Sequence, residues 1–170
     1  MLRKGGPKAR DDHGVIRRRV RRSNPRIPPM TPQQQELIRS TWAEVVPIAD
    51  QAASIFYERL FTLDPTLRRL FRRTDMEAQR RNLVQTLAVV VKGIGNLEAL
   101  IPAVEALGRR HAGYGVREAH YATVGQALLD TLAAGLGDAF TDEAHDAWAE
   151  AYGVLASVMV GAAGSEAKAA

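Results

Sequence analysis

The sequence predicts a compact all-α domain with short links. Three observations carry that expectation. Apolar residues recur at three- and four-residue spacing in successive stretches, the period of a buried helix face. No stretch alternates apolar with polar residues, and no Asn-Gly hairpin signal occurs. Helix-start signals and glycine corners separate the stretches and leave only short connections. Neither a persistent heptad nor an internal repeat is present, so about seven helices packed into one domain are expected.

The elements follow in order. Thr31-Pro32-Gln33-Gln34 opens the first helix: threonine can cap, proline suits the first helical position and Gln34 completes a capping box. Leu37, Ile38, Trp42 and Val45 form its apolar stripe, and Pro47 marks a boundary or a restart. The next helix runs to about Leu63 with Ala49, Ala53, Phe56, Tyr57 and Leu60 inward. Asp64-Pro65 turns the chain, and Leu67, Leu70 and Phe71 make a short helical piece. Thr74-Asp75-Met76-Glu77 reads as a second capping box. Its helix carries Gln79, Leu83, Leu87, Val90 and Ile94 on one side and ends at Gly95-Asn96.

The stretch from Leu97 to Leu132 organises the rest. Leu100, Val104, Leu107 and His111 fall at i, i+4, i+7 and i+11, on one helix face. Gly113-Tyr114-Gly115 breaks that helix, and a second one from near Glu118 presents Tyr121, Val124, Leu128 and Leu132. A histidine on an apolar face before a glycine corner is either a satisfied core histidine or a ligand. Gly135-Leu136-Gly137-Asp138 ends the second helix. Thr141-Asp142-Glu143 opens the last one, with acids where the helix dipole favours them. Trp148, Tyr152, Leu155 and Met159 share its inner face. His145 lies on that side near the helix start and reads as structural or exposed, whereas His120 points elsewhere than Tyr121 and is expected at the surface.

Composition bounds the function. The 170 residues suffice for one domain, and 46% hydrophobic residues can bury a core. The absence of cysteine removes disulfides, thiolate metal sites and cysteine nucleophiles, and fits a reducing cytoplasm, the expected location. No run approaches the ~20 apolar residues of a membrane-spanning helix. The net charge of +4 hides an asymmetry: residues 1–29 hold ten Lys+Arg against Asp11 and Asp12, giving +8, so residues 30–170 carry −4. Residues 1–29, with His13, read as a disordered basic extension, and translation from Met30 is an alternative. Arg17-Arg18-Arg19-Val20-Arg21-Arg22 could meet nucleic acid or an anionic membrane, or simply be solvated. Residues 163–170 read as a flexible C-terminal tail. No Gly-rich phosphate loop, His-Glu-x-x-His or serine triad is placed by the pattern.

Several strings taken in order resemble a known family. They are Phe56-Tyr57-Glu58-Arg59-Leu60-Phe61, Pro65 to Leu70-Phe71, and Asn96-Leu97 through Ile101-Pro102-Ala103-Val104 to His111. His120-Tyr121, Val124-Gly125, Leu128-Leu129, Ala147-Trp148 and Ala151-Tyr152-Gly153-Val154 follow. Together they are similar to globins, most of all bacterial single-domain haemoglobins and the globin half of flavohaemoglobins, over roughly residues 31–160. The resemblance implies a globin domain over 30–162 with one b-type haem, held without covalent attachment because no cysteine exists. His111 matches the proximal ligand to iron. Phe71 matches the phenylalanine on the haem face, Tyr57 and Gln79 the distal polar pair, and Leu83 the apolar residue beside them. Tyr121 matches the proximal tyrosine, and Leu107 lies one turn before His111 on the cofactor wall. From the residues alone, Tyr57 could instead be a core tyrosine bonded to a carbonyl, Gln79 a surface glutamine and Tyr121 plain packing.

The resemblance further implies reversible O2 binding, with NO and CO as other ligands, and hydrogen bonds from Tyr57 and Gln79 to bound O2. Nitric oxide dioxygenation with a separate electron-donating reductase is the enzymatic extension. A haem-based gas or redox sensor, or a partner-binding globin acting through another chain, is the alternative. Homodimerisation is common in relatives of this type. Three departures stand out. Counting eleven residues on from Tyr152 reaches Ala163, where the flavohaemoglobin pattern has a glutamate that makes the proximal histidine more electron-donating. No flavin or nicotinamide domain follows, so turnover is expected to need an outside reductant. The stretch between Phe71 and Gln79 is about two residues shorter than in that pattern.

Overall fold

The structure, a computed structural model, describes residues 29–167. Six α-helices account for most of these: α1 Pro32–Val45, α2 Ala49–Leu63, α3 Met76–Lys92, α4 Ile101–Gly113, α5 Glu118–Leu136 and α6 Asp142–Ala167. The joins are short 3-10 segments, Val46–Ile48, Pro65–Phe71, Ile94–Leu100 and Gly137–Ala139. No strand occurs among the described residues. The all-α expectation holds, and the count is six α-helices rather than about seven because the piece around Leu67 is a 3-10 turn. The basic run at 17–22 lies outside the described residues.

Local chemistry explains the boundaries. Thr31 caps α1 as expected: its Oγ1 accepts from the Gln34 N–H at 3.2 Å while Gln34 Oε1 accepts from the Thr31 N–H at 2.8 Å. Pro47 sits inside one 3-10 turn that redirects the chain from α1 into α2. The cap of α3 is Asp75, not Thr74. Its Oδ1 accepts from the Glu77 and Ala78 N–H groups at 2.9 and 3.2 Å, so the shorter carboxylate outcompetes the expected box. The helix α3 closes at Gly93, two residues before the expected Gly95, which leaves Ile94 in the following turn. The last helix continues through Ala167, past the expected domain end at 162.

Packing pairs the helices. The strongest pairings are α4 on α6 and α2 on α5, with α1 against α6 and α3 against α2. The chain bends by 107° between α3 and the segment Ile94–Gly113 that ends in α4, and α3 and α4 scarcely touch. A buried core runs through Ile38, Trp42, Phe56, Leu60, Leu97, Leu128, Leu132 and Trp148. Two tryptophans join α1 to α6 at 6.3 Å between ring centroids. The Trp148 Nε1–H donates to Thr41 Oγ1 at 2.9 Å, so the buried indole keeps a partner. Backbones approach closely where a glycine permits it. A Cβ on Gly108 of α4 would lie 2.5 Å from the Met159 carbonyl oxygen of α6, which explains a glycine in a helix interior. No single helix among the described residues is long and apolar enough to cross a membrane.

Candidate functional site

Two walls carry the predicted residues, and they belong to different helix pairs. The first wall comes from α2, the Pro65–Phe71 turn and the start of α3. Tyr57 is 6% exposed and stands at the centre of an aromatic group. Its ring meets Phe56 edge-on at 5.0 Å and Phe71 edge-on at 5.7 Å, and Phe61 stands 5.4 Å from Phe71. Phe71 is half-buried. Burial raises the Tyr57 phenol above its ordinary range, and the nearby Gln79 side chain and the charge of Arg80 offset this only in part. The phenol therefore keeps its proton at neutral pH and remains a donor. Gln79 lies in the first turn of α3 and is half-buried, so the shorter link after Phe71 still brings it to Tyr57. Leu83, one turn on, lines a small apolar cavity of about 20 Å³ with Phe56, Leu87 and Leu128.

The second wall comes from α4 and α5. His111 is half-buried near the end of α4, on the face of Val104 and Leu107. Its Nδ1 lies 2.9 Å from the Leu107 carbonyl oxygen, so Nδ1 carries the proton and donates. That tautomer leaves the Nε2 lone pair uncommitted. Burial lowers the imidazole below its ordinary value, only partly offset by the bond to Leu107, so the ring is neutral at pH 7. The Tyr121 ring lies nearly parallel to His111 with centroids 6.4 Å apart. Behind it, the Tyr152 hydroxyl donates to the Tyr121 carbonyl oxygen at 2.6 Å, and burial pushes the Tyr152 phenol far up. Tyr152 in turn fills the space beside Gly125, where a Cβ would lie 2.6 Å from the ring. Gly115, at φ +86°, closes the corner after His111.

His120 is a correction. It is 8% exposed rather than at the surface, because its Nδ1 turns back to accept the Arg117 N–H at 3.1 Å and satisfies the start of α5. Histidine is not an ordinary capping residue, so its residue type carries no signal of this role. Phe61 was likewise missed as part of the aromatic wall, although its spacing of four from Tyr57 placed it on the same face. His145 is exposed beside Asp146, as the sequence suggested.

The donor set narrows what the site can hold. No group of three or more His, Cys, Asp or Glu side chains comes together among the described residues. A metal taken by His111 Nε2 must therefore bring its other ligands with it, as the four pyrrole nitrogens of haem do. A neutral imidazole with a fixed tautomer, beside the Tyr121 ring and Leu107, has the donor chemistry that group needs.

Comparisons with known proteins agree. The globin family matches residues 54–159. The flavohemoprotein of Bordetella parapertussis is 34% identical over 134 residues, covering 78% of this chain and 33% of its own length. That of Vibrio cholerae is 34% identical over 77% of this chain and 34% of its own length. That of Bacillus subtilis is 33% identical over 74% and 32%. The chain thus spans about a third of the length of the curated relatives it matches. A solved structure titled an engineered carbene transferase, a putative nitric oxide dioxygenase from Rhodothermus marinus, superposes with a TM-score of 0.73 at 26% identity. It covers 82% of this chain and 97% of the other. The chain belongs to the globin family, and haem is the cofactor of that family.

Proposed function

We propose that this globin binds O2 reversibly at a b-type haem ligated by His111 Nε2, with Tyr57 and Gln79 as hydrogen-bonding residues over the ligand. When bound, the haem supplies the iron that takes up the gas. The observation that carries the reading is the asymmetry of the two walls. One offers a buried, protonated phenol near the half-buried Gln79 amide, and the other a neutral imidazole whose tautomer is fixed by a backbone carbonyl. Tyr57 Oη–H supplies a donor in apolar surroundings, where a hydrogen bond is stronger than in water. Phe71 and Leu107 pack the flanks, and Leu83 keeps the neighbouring space apolar. The His111 Nδ1–H meets a carbonyl rather than a carboxylate, and half-buried Ala163 supplies no acid. The imidazole therefore gains little anionic character and pushes little electron density towards iron, which favours holding O2 over activating it.

The test is the optical spectrum of the purified chain, ferric, dithionite-reduced, and then with O2 and CO. A Soret band at one haem per chain and an oxy form that persists are expected. A chain that stays helical yet refuses added hemin would overturn the reading. Nitric oxide dioxygenation with an electron-donating reductase in trans is the second reading, favoured by the flavohemoproteins among the relatives. It is read from NO consumption by the oxy form with a supplied reductant.

A further inference from the structure

The charge of the folded domain is not spread evenly. Residues 65–81 hold six arginines against Asp75 and Glu77, a net +4, so the rest of residues 30–170 carries −8. Four of these arginines, Arg68, Arg69, Arg72 and Arg73, fall within six positions on one short turn and its exit. That turn buries Leu67 and half-buries Leu70 and Phe71, which leaves all four arginines exposed. They are not spent on ion pairs. The Arg68 guanidinium lies 4.7 Å from the centre of the Phe61 ring, and the Arg69 Nε–H makes only a long 3.4 Å bond to the Thr66 carbonyl. Of the nearby acids, Glu77 is taken by Arg81, while Asp64 and Asp75 cap the starts of the turn and of α3. No ion pair among the described residues engages the four.

Two of the large exposed apolar side chains border this turn. Leu63, 45% exposed, precedes it at the end of α2. Tyr114, 68% exposed, stands on the corner after His111. That corner packs on the turn, since a Cβ on Gly115 would lie 3.6 Å from Leu70 Cδ2. The surface thus links both walls of the site. It begins behind Phe71, which touches Tyr57, and ends one corner beyond His111. Arginine and tyrosine beside isolated apolar residues, rimmed by charge, is the composition of a small transient interface.

We propose that this face, Arg68, Arg69, Arg72 and Arg73 with Leu63 and Tyr114 at its margins, docks an acidic one-electron carrier protein that reduces the site. The proposal rests on the haem reading. The carrier gives up one electron and the ferric iron gains it, with no bond made or broken in this chain. A +4 face on a −8 body orients an acidic partner during diffusion, and its position aims the partner's redox centre at the junction of the two walls.

The experiment uses the haem-loaded full chain, so that residues 1–29 are common to every variant. Arg72→Glu with Arg73→Glu is compared with Arg39→Glu with Lys92→Glu, which changes net charge equally at a distance from the turn. Oxidised flavodoxin, an acidic flavin carrier, is titrated calorimetrically at low and high salt. Reduction by flavodoxin hydroquinone and by the small neutral lumiflavin semiquinone is then followed by stopped flow or flash photolysis. The Arg72→Glu/Arg73→Glu variant is expected to bind flavodoxin at least ~10-fold more weakly at low salt and to be reduced ~10-fold more slowly by it. The lumiflavin rate should not change. Equal losses in both double variants, or no salt dependence, would overturn the proposal. So would a face that instead holds a DNA duplex or phosphatidylserine vesicles and loses them in the Arg72→Glu/Arg73→Glu variant. A chain that takes up no haem fails the functional reading first, whereas a normal oxy spectrum with unaltered flavodoxin kinetics sinks this inference alone.

Discussion

The two walls of the site are built from different materials. The wall around Tyr57 is a cluster of aromatic side chains on α2 and the turn that follows it, and its polar group is a phenol kept protonated by burial. The wall around His111 is fixed through backbone: Leu107 sets the imidazole, the Tyr121 carbonyl holds Tyr152, and Gly108 lets α4 lie against the backbone of α6. One wall supplies a donor that can respond to a ligand. The other supplies a fixed lone pair. On the proposed reading, the difference teaches that ligand polarity and metal position are set by separate packing units, so they should fail separately when mutated.

The largest expected effect is on the backbone-built wall. His111→Ala should abolish stoichiometric haem retention, read from the Soret absorbance after gel filtration, while Tyr57→Phe should retain haem. Equal haem loss in both would break the separation. Next comes Gly108→Ala. The added Cβ meets Met159 backbone atoms at 2.5 to 2.9 Å, which cannot move aside as a side-chain tip would. A loss of about 1–3 kcal/mol is expected from the urea midpoint, with the O2 off-rate close to wild type. A neutral effect would mean that α4 and α6 are free to shift.

Tyr57→Phe should speed O2 release about tenfold, the worth of one hydrogen bond near the upper end of the neutral range. An unchanged off-rate would show that the phenol does not reach the ligand. Gln79→Leu should change the same rate by only about two- to fivefold, because Gln79 is half-buried and acts beside Tyr57.

Acidification of the haem-free chain, in which His111 binds no iron, tests the imidazole. Burial places the folded His111 below the unfolded value of about 6.5, so the unfolded chain binds the proton more readily. The contribution is fully present above that value and is lost as pH falls through the lowered one. Stability should therefore decline on acidification with a smaller slope in His111→Gln, as followed by denaturation midpoints at successive pH values. A slope unaltered by the substitution would place the acid response elsewhere.

Much of this was legible in the sequence because it is local. The Thr31 capping box, the glycine corner after His111 and the inner face of the last helix depend on residues three or four apart, and chain geometry fixes their outcome. The apolar periodicity likewise located both helices around His111 and the glycine between them. The cap at Asp75 was misplaced by one residue, since Thr74 and Asp75 both offer oxygen and only the path out of Arg73 selects between them. His120 was hidden for a related reason: its role is a backward hydrogen bond that its residue type does not advertise.

The sequence by itself determined the all-α class and the helix order, because helix periodicity and capping are short-range physics, and periodicity put His111 on an apolar face; Tyr57 and Gln79 became candidates only through the resemblance to globins. Only the tertiary structure decided that Gln79 comes near Tyr57 across a shortened link, that Gly108 is an approach site, and that the corner carrying Tyr114 packs on the turn that exposes four arginines. Those facts depend on where distant segments pack against one another. That is settled by filling space between helices at close to crystal density, a constraint that no window of sequence contains.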